Sequence, residues 1–463
     1  MYDTYENPLC SRYASKQMQT IFGDRYRIML WRKLWLALAQ SEMELGLPIT
    51  QEQIEQMREH LVPTDEEFKV AKERESVVNH DVMSHIYSFG ETCPLAKPIL
   101  HLGATSCFVT DNSELIQMYD GLKLIRSKVL EVIRALCDFS IKYKDVATVG
   151  YTHFQTAQFT TVGKRATLYL QDFVADYIEL NRLLSDFKLR GAKGTTGTQA
   201  GFLELFKGNK EKVKLLDRLI AKKMGFEDTF GVTGQTYPRK FDYKIISVLC
   251  GIAISCHKYA VDMRLLQNLK ELEEPFGKSQ VGSSAMAYKR NPMNCERICS
   301  ISRFVQSLLQ NSAVTASTQW LERTLDDSAN RRLSNAQAFL GIDSILSIVE
   351  KVVANTTVYE NVIKKHVMEE LPFIATENIL MRCVELGGDR QELHERIRTL
   401  SMETTANIKN GGENDLMKRI CQDSAFKPFL AALEGANEAI LYTGCATTQT
   451  EEYVDYVLNV ISE

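Results

Sequence analysis

Residues 115–139 read LIQMYDGLKLIRSKVLEVIRALCDF, and their apolar side chains recur at alternating steps of three and four residues. This spacing puts a continuous apolar stripe on one side of an α-helix. The same spacing runs through two other stretches, residues 166–187 and 245–266. Long helices with such stripes pack almost parallel or antiparallel to one another, so the sequence predicts a helix bundle.

Shorter apolar repeats predict two more helices, one starting at Ile298 and one at Leu333. The chain has only 10 prolines in 463 residues, which favours long uninterrupted helices. No stretch of useful length alternates between apolar and polar residues as a half-buried strand does. We therefore predict an all-α fold with a central bundle of long helices.

The order of these repeats predicts a chain of three parts. Asp111 followed by Glu114 has the spacing of a helix-capping pair, which puts the start of the first long helix close to that point. Towards the C-terminus, Pro372 and two later glycine pairs break the pattern into shorter helices. The predicted parts are an N-terminal helical domain at residues 1–110, the bundle at residues 111–359 and a small C-terminal helical domain at residues 360–463.

Composition argues against several classes of partner. The net charge is −4, so neither nucleic acid nor an anionic membrane is favoured. The N-terminus lacks the basic-then-apolar pattern of a signal peptide, and the apolar run at residues 28–39 is interrupted by Arg32 and Lys33. Eleven scattered cysteines without a Cys-x-x-Cys pair are typical of reduced thiols. We predict a cytoplasmic protein that has no membrane or nucleic-acid partner.

Residues 282–297 read GSSAMAYKRNPMNCER and form the most informative polar segment. Gly282 and Pro292 bracket a stretch that has neither helix nor strand period, which predicts a loop. Its two serines, lysine and asparagine suit a site that holds an anion while a proton is removed. From composition alone, a solvated polar loop is an equally good interpretation.

Seven other polar segments could contribute to a site. Among them, His153 has a side chain whose pKa range suits proton transfer near neutral pH. Arginines near residue 330 could clamp a phosphate or could line a solvated face. The segments are residues 11–15 (SRYAS), 79–83 (NHDVM), 101–106 (HLGATS), 150–158 (GYTHFQTAQ), 191–201 (GAKGTTGTQAG), 231–239 (GVTGQTYPR) and 322–332 (ERTLDDSANRR).

Two of these segments look like known ligand motifs but lack the spacing. His80 and His85 are five residues apart, whereas zinc ligands on one helix face are four apart, so no metal site is predicted. Lys193 precedes Gly194, and no Gly-Lys-Ser or Gly-Lys-Thr occurs, so a nucleoside-triphosphate loop is not predicted.

Residues 282–292 resemble the signature loop of the fumarase/aspartase superfamily, GSSxMPxKxNP, with Ala287 in place of the first proline. Residues 152–158 resemble its THxQxAQ segment. The strings SRYAS, HDVM, QTYPRK and RTLDDSANR narrow the resemblance to the adenylosuccinate lyases of animal-like type. Asn79 is a second departure, because animal relatives tend to carry arginine before the His-Asp pair.

The resemblance implies a fumarase/aspartase-like fold and a homotetramer in which three chains share each active site. The implied reaction is that of a carbon–nitrogen lyase of purine biosynthesis, which eliminates fumarate. Adenylosuccinate would give AMP, and the succinylated imidazole carboxamide ribotide (SAICAR) would give its carboxamide (AICAR). No metal or organic cofactor is implied.

The resemblance also implies roles for individual residues. Ser283 would be the base and His153 the acid, with Glu296 orienting His153. Lys289 would stabilise the serine alkoxide, and His80 would assist near the purine base. The succinyl carboxylates would contact Lys289, Asn291, Thr105 and Ser106; the base and ribose would contact His80, Asp81 and Gln235; the 5′-phosphate would contact Arg12, Tyr13, Arg323, Ser328 and Arg332; and Arg297 would lie near the ribotide.

Two alternatives stay open. Another fumarate-releasing lyase, such as argininosuccinate lyase or fumarase, fits the loop but leaves the arginine-rich segment unexplained. A catalytically silent structural protein on the same fold is the other alternative. The presence of both Ser283 and His153 argues against it.

Overall fold

The structure, a computed structural model, describes residues 3–433 and 438–462, and α-helices dominate these ranges. This confirms the predicted all-α class. The helices are α1 (Lys16–Ile21), α2 (Asp24–Glu44), α3 (Gln51–Glu59), α4 (Asp65–Val78), α5 (Asp81–Thr92), α6 (Ser106–Lys142), α7 (Val162–Ser185), α8 (Ala200–Leu205), α9 (Lys210–Lys223), α10 (Lys240–Asn268), α11 (Met293–Ser317), α12 (Asp326–Asn355), α13 (Glu360–Glu385), α14 (Arg390–Lys409), α15 (Leu416–Gln422) and α16 (Ala446–Ser462).

Short elements connect the helices. A π-helical turn spans Leu9–Tyr13, and 3₁₀ turns span Lys97–Ile99, Lys427–Leu433 and Ala439–Tyr442. Two small antiparallel sheets pair β1 (Ala147–Thr152) with β2 (Gln155–Thr161), and β3 (Leu272–Glu273) with β4 (Thr357–Val358). No strand was predicted from the sequence. These strands could not be recognised from sequence periodicity, because they are too short and too polar to show an alternating pattern.

The predicted apolar stripes are largely buried on the long helices α6, α7 and α10, although two stripe residues of α7 are half-buried. Every stripe residue of α10 from Ile245 to Leu266 is buried. On α6 the stripe is buried from Leu115 to Leu136, and Phe139 at its end is half-buried. Burial of each large apolar side chain contributes about 1.5–3 kcal/mol, so these stripes supply much of the stability of the long helices.

Two predicted helix boundaries are wrong. Helix α6 begins at Ser106, so Asp111 lies inside the helix. Its carboxylate does not cap the helix because it is buried and accepts hydrogen bonds from Arg239 at 3.2 Å. Pro372 does not break the chain either, since α13 continues through it. Buried residues on both sides of the proline, including Leu371 and Ala375, keep one face of α13 packed.

The chain divides into two compact units, and the predicted division into three domains stays a prediction. The first unit comprises the chain up to Val129, Asp176–His257 and Ser300–Ser347. Its core joins Trp31 and Trp35 of α2 to apolar residues of α5, α8 and α9. The second unit comprises Leu130–Ala175, Lys258–Cys299 and the chain from Ile348 onward. It contains both small sheets and the signature loop, residues 282–292.

Helix α10 is long and apolar enough to cross a membrane by length and composition, with a mean hydropathy of 1.4 over its most apolar window. Of that window, 56% is buried within the protein. A buried core helix meets the same criterion, and the stripe from Ile245 to Leu266 accounts for the apolar character of α10.

Candidate active site

The first compact unit contains a cavity of about 710 Å³. Small-molecule sites typically enclose roughly 300–1,000 Å³, so the cavity is large enough for a nucleotide-sized ligand. Segments far apart in sequence meet in its wall, and eight of the predicted site residues lie there. They are His80, Asp81, Thr105, Ser106, Gln235, Arg323, Ser328 and Arg332.

His80 enters the cavity wall from the junction between α4 and α5. Asn79 ends α4 in the left-handed conformation with a φ of 52°, which asparagine tolerates better than most residues. His80 then caps α5, where its Nδ1 accepts a hydrogen bond from the Met83 N–H at 3.3 Å. A neutral ring therefore carries its proton on Nε2, which lies 3.4 Å from the Ser106 hydroxyl.

Thr105 and Ser106 lie at the start of α6, a helix of 37 residues. The first N–H groups of a helix have no partner within it, and the helix dipole makes this end positive. Helix N-termini are for this reason common binding sites for anions. The two hydroxyls and the helix end are therefore suited to hold a carboxylate in the cavity.

Two arginines line the cavity, and each forms an ion pair with a carboxylate. Arg323 Nη1 donates to Asp327 Oδ1 at 2.9 Å, and the Arg323 side chain is 23% exposed. Arg332 Nη2 donates to Asp81 Oδ2 at 3.2 Å, and its side chain is 58% exposed. Arginine binds phosphate through paired N–H groups, so both side chains are suited to a phosphorylated ligand.

A buried network of charges in the wall of this cavity was not predicted from the sequence. Arg331 pairs with Asp242 at 2.5 Å and with Glu114 at 2.8 Å, and Arg239 pairs with Asp111. Burial alone would raise the pKa of Asp242, but the guanidinium groups of Arg331 and Arg239 hold that pKa below its ordinary value.

One signal in the sequence could have revealed the network. Asp111 precedes Leu115 by four residues and so continues the apolar stripe of α6. A carboxylate on a buried stripe needs a buried partner, because an unpaired charge is very costly to bury.

Two histidines near this site are structural. Burial lowers the pKa of both His85 and His101 to about 4. His101 Nδ1 accepts a hydrogen bond from the indole N–H of Trp35 at 2.9 Å. Both rings are therefore neutral near pH 7, and neither is placed as a proton donor to a ligand.

The motif at residues 191–201 also has a structural role. The Lys193 ammonium pairs with Asp217, and both side chains are 8% exposed. Asp217 also accepts from the Ala192 N–H at 2.7 Å. The lysine is thus neutralised within the core of the first unit, which agrees with the prediction that this motif is no nucleoside-triphosphate loop.

In the second unit, the signature loop is fixed at its two ends. Asn291 Nδ2 donates to the Gly282 carbonyl at 2.8 Å, which closes the loop on itself. A side chain at Gly282 would place its Cβ 2.1 Å from the Lys289 carbonyl oxygen, so only glycine fits there. Glu274 then caps α11 by accepting from the N–H groups of Asn294 and Cys295 at 2.9 Å each.

Ser283 is held by its own loop. Its Oγ accepts hydrogen bonds from the N–H groups of Ala285 at 3.3 Å and Met286 at 3.1 Å. Backbone N–H donors interact more strongly with an oxyanion than with a neutral hydroxyl. The same two N–H groups would therefore stabilise the oxyanion if Ser283 lost its proton.

His153 lies at the tip of the hairpin that joins β1 to β2. His153 and Phe154 are its two turn residues and have φ values of 52° and 61°. Turns of this kind normally contain asparagine and glycine, because other side chains are strained at positive φ. Both turn residues are exposed, Phe154 at 81%. Strain at an exposed histidine is a feature of functional sites.

Six further predicted site residues lie outside the described cavity wall, and the roles of all the predicted site residues stay predictions. Lys289 and Asn291 belong to the signature loop, and Glu296 and Arg297 lie in the first turn of α11, so all four share the second unit with Ser283 and His153. Arg12 and Tyr13 occupy the turn Leu9–Tyr13 in the first unit, and neither is among the described residues that line the cavity.

Two family models match the chain. A lyase model matches residues 12–307, and a model of the adenylosuccinate lyase C-terminus matches residues 372–453. Among solved structures, a 3-carboxy-cis,cis-muconate lactonizing enzyme from Pseudomonas putida has a TM-score of 0.85 at 20% identity, covering 98% of this chain and 99% of that one. A fumarate lyase from Mesorhizobium sp. BNC1 has a TM-score of 0.82 at 18% identity, with the same coverage. At such identities these structures establish the fold alone.

Curated relatives are far more similar in sequence. The adenylosuccinate lyase of Saccharomyces cerevisiae is 52% identical over 99% of this chain and 95% of its own length. That of Schizosaccharomyces pombe is 49% identical over 98% and 95%. That of Schistosoma mansoni is 43% identical over the same shares. The chain therefore belongs to the adenylosuccinate lyase family.

Proposed function

We propose that this chain cleaves adenylosuccinate to AMP and fumarate, and SAICAR to AICAR and fumarate, as a carbon–nitrogen lyase of purine nucleotide biosynthesis. The observation that carries the proposal is the geometry of Ser283, whose Oγ receives two backbone N–H groups inside the signature loop. Family membership supports the choice of substrate. The arginines in the cavity of the first unit fit the phosphate that both ribotides carry.

The elimination needs one base and one acid. Ser283 as alkoxide would remove a proton from the succinyl carbon next to a carboxylate. The electron pair left on that carbon forms the double bond of fumarate as the bond from the neighbouring carbon to nitrogen breaks. His153 would donate the proton that the leaving nitrogen requires. The nucleotide product and fumarate then separate, and no group of the protein is oxidised or reduced.

Ser283 is a poor base at the usual pKa of a serine, so its alkoxide must be stabilised. The N–H groups of Ala285 and Met286 supply part of that stabilisation, and the ammonium of Lys289 would supply more. Lys289, Asn291, Thr105 and Ser106 would hold the succinyl carboxylates. Positive groups there also stabilise the negative charge that develops on the carboxylate during proton removal.

The remaining site residues would bind the nucleotide. His80, Asp81 and Gln235 line the cavity and would contact the base and ribose. The phosphate would be held by Arg323, Ser328 and Arg332 of the cavity, with Arg12 and Tyr13 contributing, and Arg297 would lie near the ribotide. Glu296 would orient His153.

We also propose a homotetramer in which three chains share each active site. Apolar side chains exposed on the long helices support this, because an assembly would bury them. Leu168 of α7 is 53% exposed, and Ile254 of α10 is 54% exposed. The exposed His153 hairpin fits a role in a partner's site. The modest net charge and dispersed cysteines support a cytoplasmic protein whose partners are small molecules and its own copies.

One assay tests the function. Purified protein is mixed separately with adenylosuccinate, argininosuccinate and malate, and fumarate is followed. We expect fumarate from adenylosuccinate alone. Release from argininosuccinate or malate instead would favour the related lyases, and no release from any of the three would favour a catalytically silent protein on this fold.

A further inference from the structure

Arg323 connects the cavity of the first unit to the core beneath it. Its side chain is 23% exposed and lines the cavity, whereas the Asp327 carboxylate that it contacts is fully buried. Asp327 lies in the first turn of α12, where the helix dipole favours a negative charge. Both residues line the cavity wall, but only the Arg323 end of the ion pair is exposed there, and the Asp327 end is buried.

The second oxygen of Asp327 binds a different arginine. Oδ2 accepts from Arg239 Nε at 2.6 Å, while Oδ1 accepts from Arg323 Nη1 at 2.9 Å. Arg239 also donates to both oxygens of Asp111 at 3.2 Å. If Asp327 lost its charge, Arg239 would therefore keep a carboxylate partner, whereas Arg323 would lose the carboxylate that fixes its position.

The main chain next to Arg323 is also fixed. The Gln235 N–H donates to the Glu322 carbonyl at 2.9 Å. A Cβ at Gly234 would lie 2.6 Å from that carbonyl oxygen, so the close approach requires glycine. Because the preceding carbonyl is held in this way, Arg323 can move mainly through its side chain. Asp327 restrains that side chain.

We propose that Asp327 is a positioning residue, whose buried carboxylate holds the Arg323 guanidinium so that its remaining N–H groups meet the phosphate of the ribotide. The inference rests on the proposed function, which supplies the phosphate. A free arginine would lose side-chain freedom when it binds phosphate, which weakens binding. An arginine already held by Asp327 avoids most of that loss. The negative charge of Asp327 faces three guanidinium groups, those of Arg323, of Arg239 at 2.6 Å and of Arg331 at 4.0 Å, and so repels the phosphate little.

The test compares AMP with adenosine, which lacks the phosphate. In Asp327→Asn, we expect the dissociation constant of AMP, measured by calorimetry, to rise about tenfold, as for the loss of one charge-assisted contact. The constant for adenosine should stay within about twofold of the unmodified protein. The matched control is Asp326→Asn, which removes an exposed carboxylate from the same helix turn and should change neither constant.

A double-mutant cycle shows whether Asp327 acts through Arg323. In an Arg323→Ala background, Asp327→Asn should weaken AMP binding no further. A further tenfold loss there, or an equal loss for AMP and adenosine in the single variant, would overturn the proposal. If Asp327→Asn does not fold, Asp327→Glu replaces it, because it keeps the buried charge but displaces Arg323 by one methylene. Unchanged AMP binding in that variant would also overturn the proposal.

The two proposals fail separately. If the unmodified protein binds AMP but releases no fumarate from adenylosuccinate, the proposed function is overturned, and the AMP and adenosine constants still test Asp327. If it releases fumarate while Asp327→Asn binds AMP as tightly as before, the positioning role is overturned alone.

Discussion

Arg239 lines the cavity of the first unit, where it is buried and bound by two carboxylates. Ser283, in the loop of the second unit, is instead half-buried and bound by N–H groups of its own loop. The cavity thus has its polar groups placed by side chains from distant parts of the chain. The loop places its serine by local backbone geometry. We infer that the first arrangement fixes where a ligand binds, and the second sets the reactivity of one oxygen.

The strongest test of this comparison removes the hydroxyl of Ser283. Ser283→Ala should lower kcat by ~10²–10⁴, the usual contribution of a positioned acid or base. AMP binding should change little, because the cavity groups remain. Ser284→Ala is the control and should retain most activity. Steady-state kinetics with adenylosuccinate decides the matter, and near-normal turnover in Ser283→Ala would assign the base role elsewhere, with Ser284 the next candidate.

A second test asks whether the hairpin and the loop of one site come from different chains. His153→Asn tolerates the positive φ of the turn but removes the acid, and Ser283→Ala removes the base. Each variant should be inactive alone. Unfolding and refolding them together in equal amounts should restore about one quarter of sites, since each residue is intact in about half of the chains.

The activity of the refolded mixture is compared with that of the unmodified protein taken through the same procedure. If both residues came from one chain, every site would lack one of them, and the mixture would stay as inactive as its parents. That result would contradict the shared site while leaving the role of each residue open.

Removing a cavity arginine should have a smaller effect. Arg332→Ala should weaken the binding of adenylosuccinate by about 1.5 kcal/mol. The KM should rise roughly tenfold, with little change in kcat. We expect the lower end of the range for charge-assisted bonds because the side chain is 58% exposed and solvent screens its charge. Arg303→Ala, which removes an exposed arginine from α11, is the control. An unchanged KM would show that Arg332 does not bind the phosphate.

The last test concerns stability rather than activity, and it separates burial from pairing. Glu42 is buried, and within the described residues neither of its carboxyl oxygens has a hydrogen-bond partner. Burial raises its pKa from 4.5 to about 9. The folded state therefore binds an extra proton between those pH values, and stability should be lost as pH rises through this window by up to about 1.4 kcal/mol per pH unit.

Glu42→Gln should remove this slope. The variant should be more stable than the unmodified protein at pH 8, and the gap should close towards pH 5, as measured by urea unfolding. Glu44→Gln is the control, because Glu44 is half-exposed and pairs with Lys223 at 2.8 Å. Identical slopes for Glu42→Gln and the unmodified protein would mean that Glu42 ionises in the folded state.

Much of the fold follows from the sequence because helix spacing is a local property. The stripe from Ile245 to Leu266 needed no knowledge of its partners, and each of its residues is buried. The predicted start of α6 was wrong because the role of Asp111 depends on a residue that is distant in sequence. Asp111 resembles a cap from its neighbours in sequence, but its partner Arg239 is 128 residues away.

The site shows the same limit. Motif resemblance identified His80, Ser106, Arg323 and their neighbours, and the fold brings eight of the predicted site residues to one cavity. Asp327 and Asp242 were not identified in this way. The sequence does not distinguish an aspartate that is buried beside an arginine from an aspartate on a solvated surface. The hairpin at His153 was missed as well, since its strain appears only in the backbone angles.

The sequence by itself determined the long helices, the loop bracketed by Gly282 and Pro292 and the family to which the chain belongs. These features depend on residues that are near one another along the chain. Only the tertiary structure decided which charges are paired in the core and which face the cavity, as with Arg331 and Arg332, two adjacent arginines that are 5% and 58% exposed. Packing between distant segments sets the burial of each group, and burial determines whether a charge needs a partner.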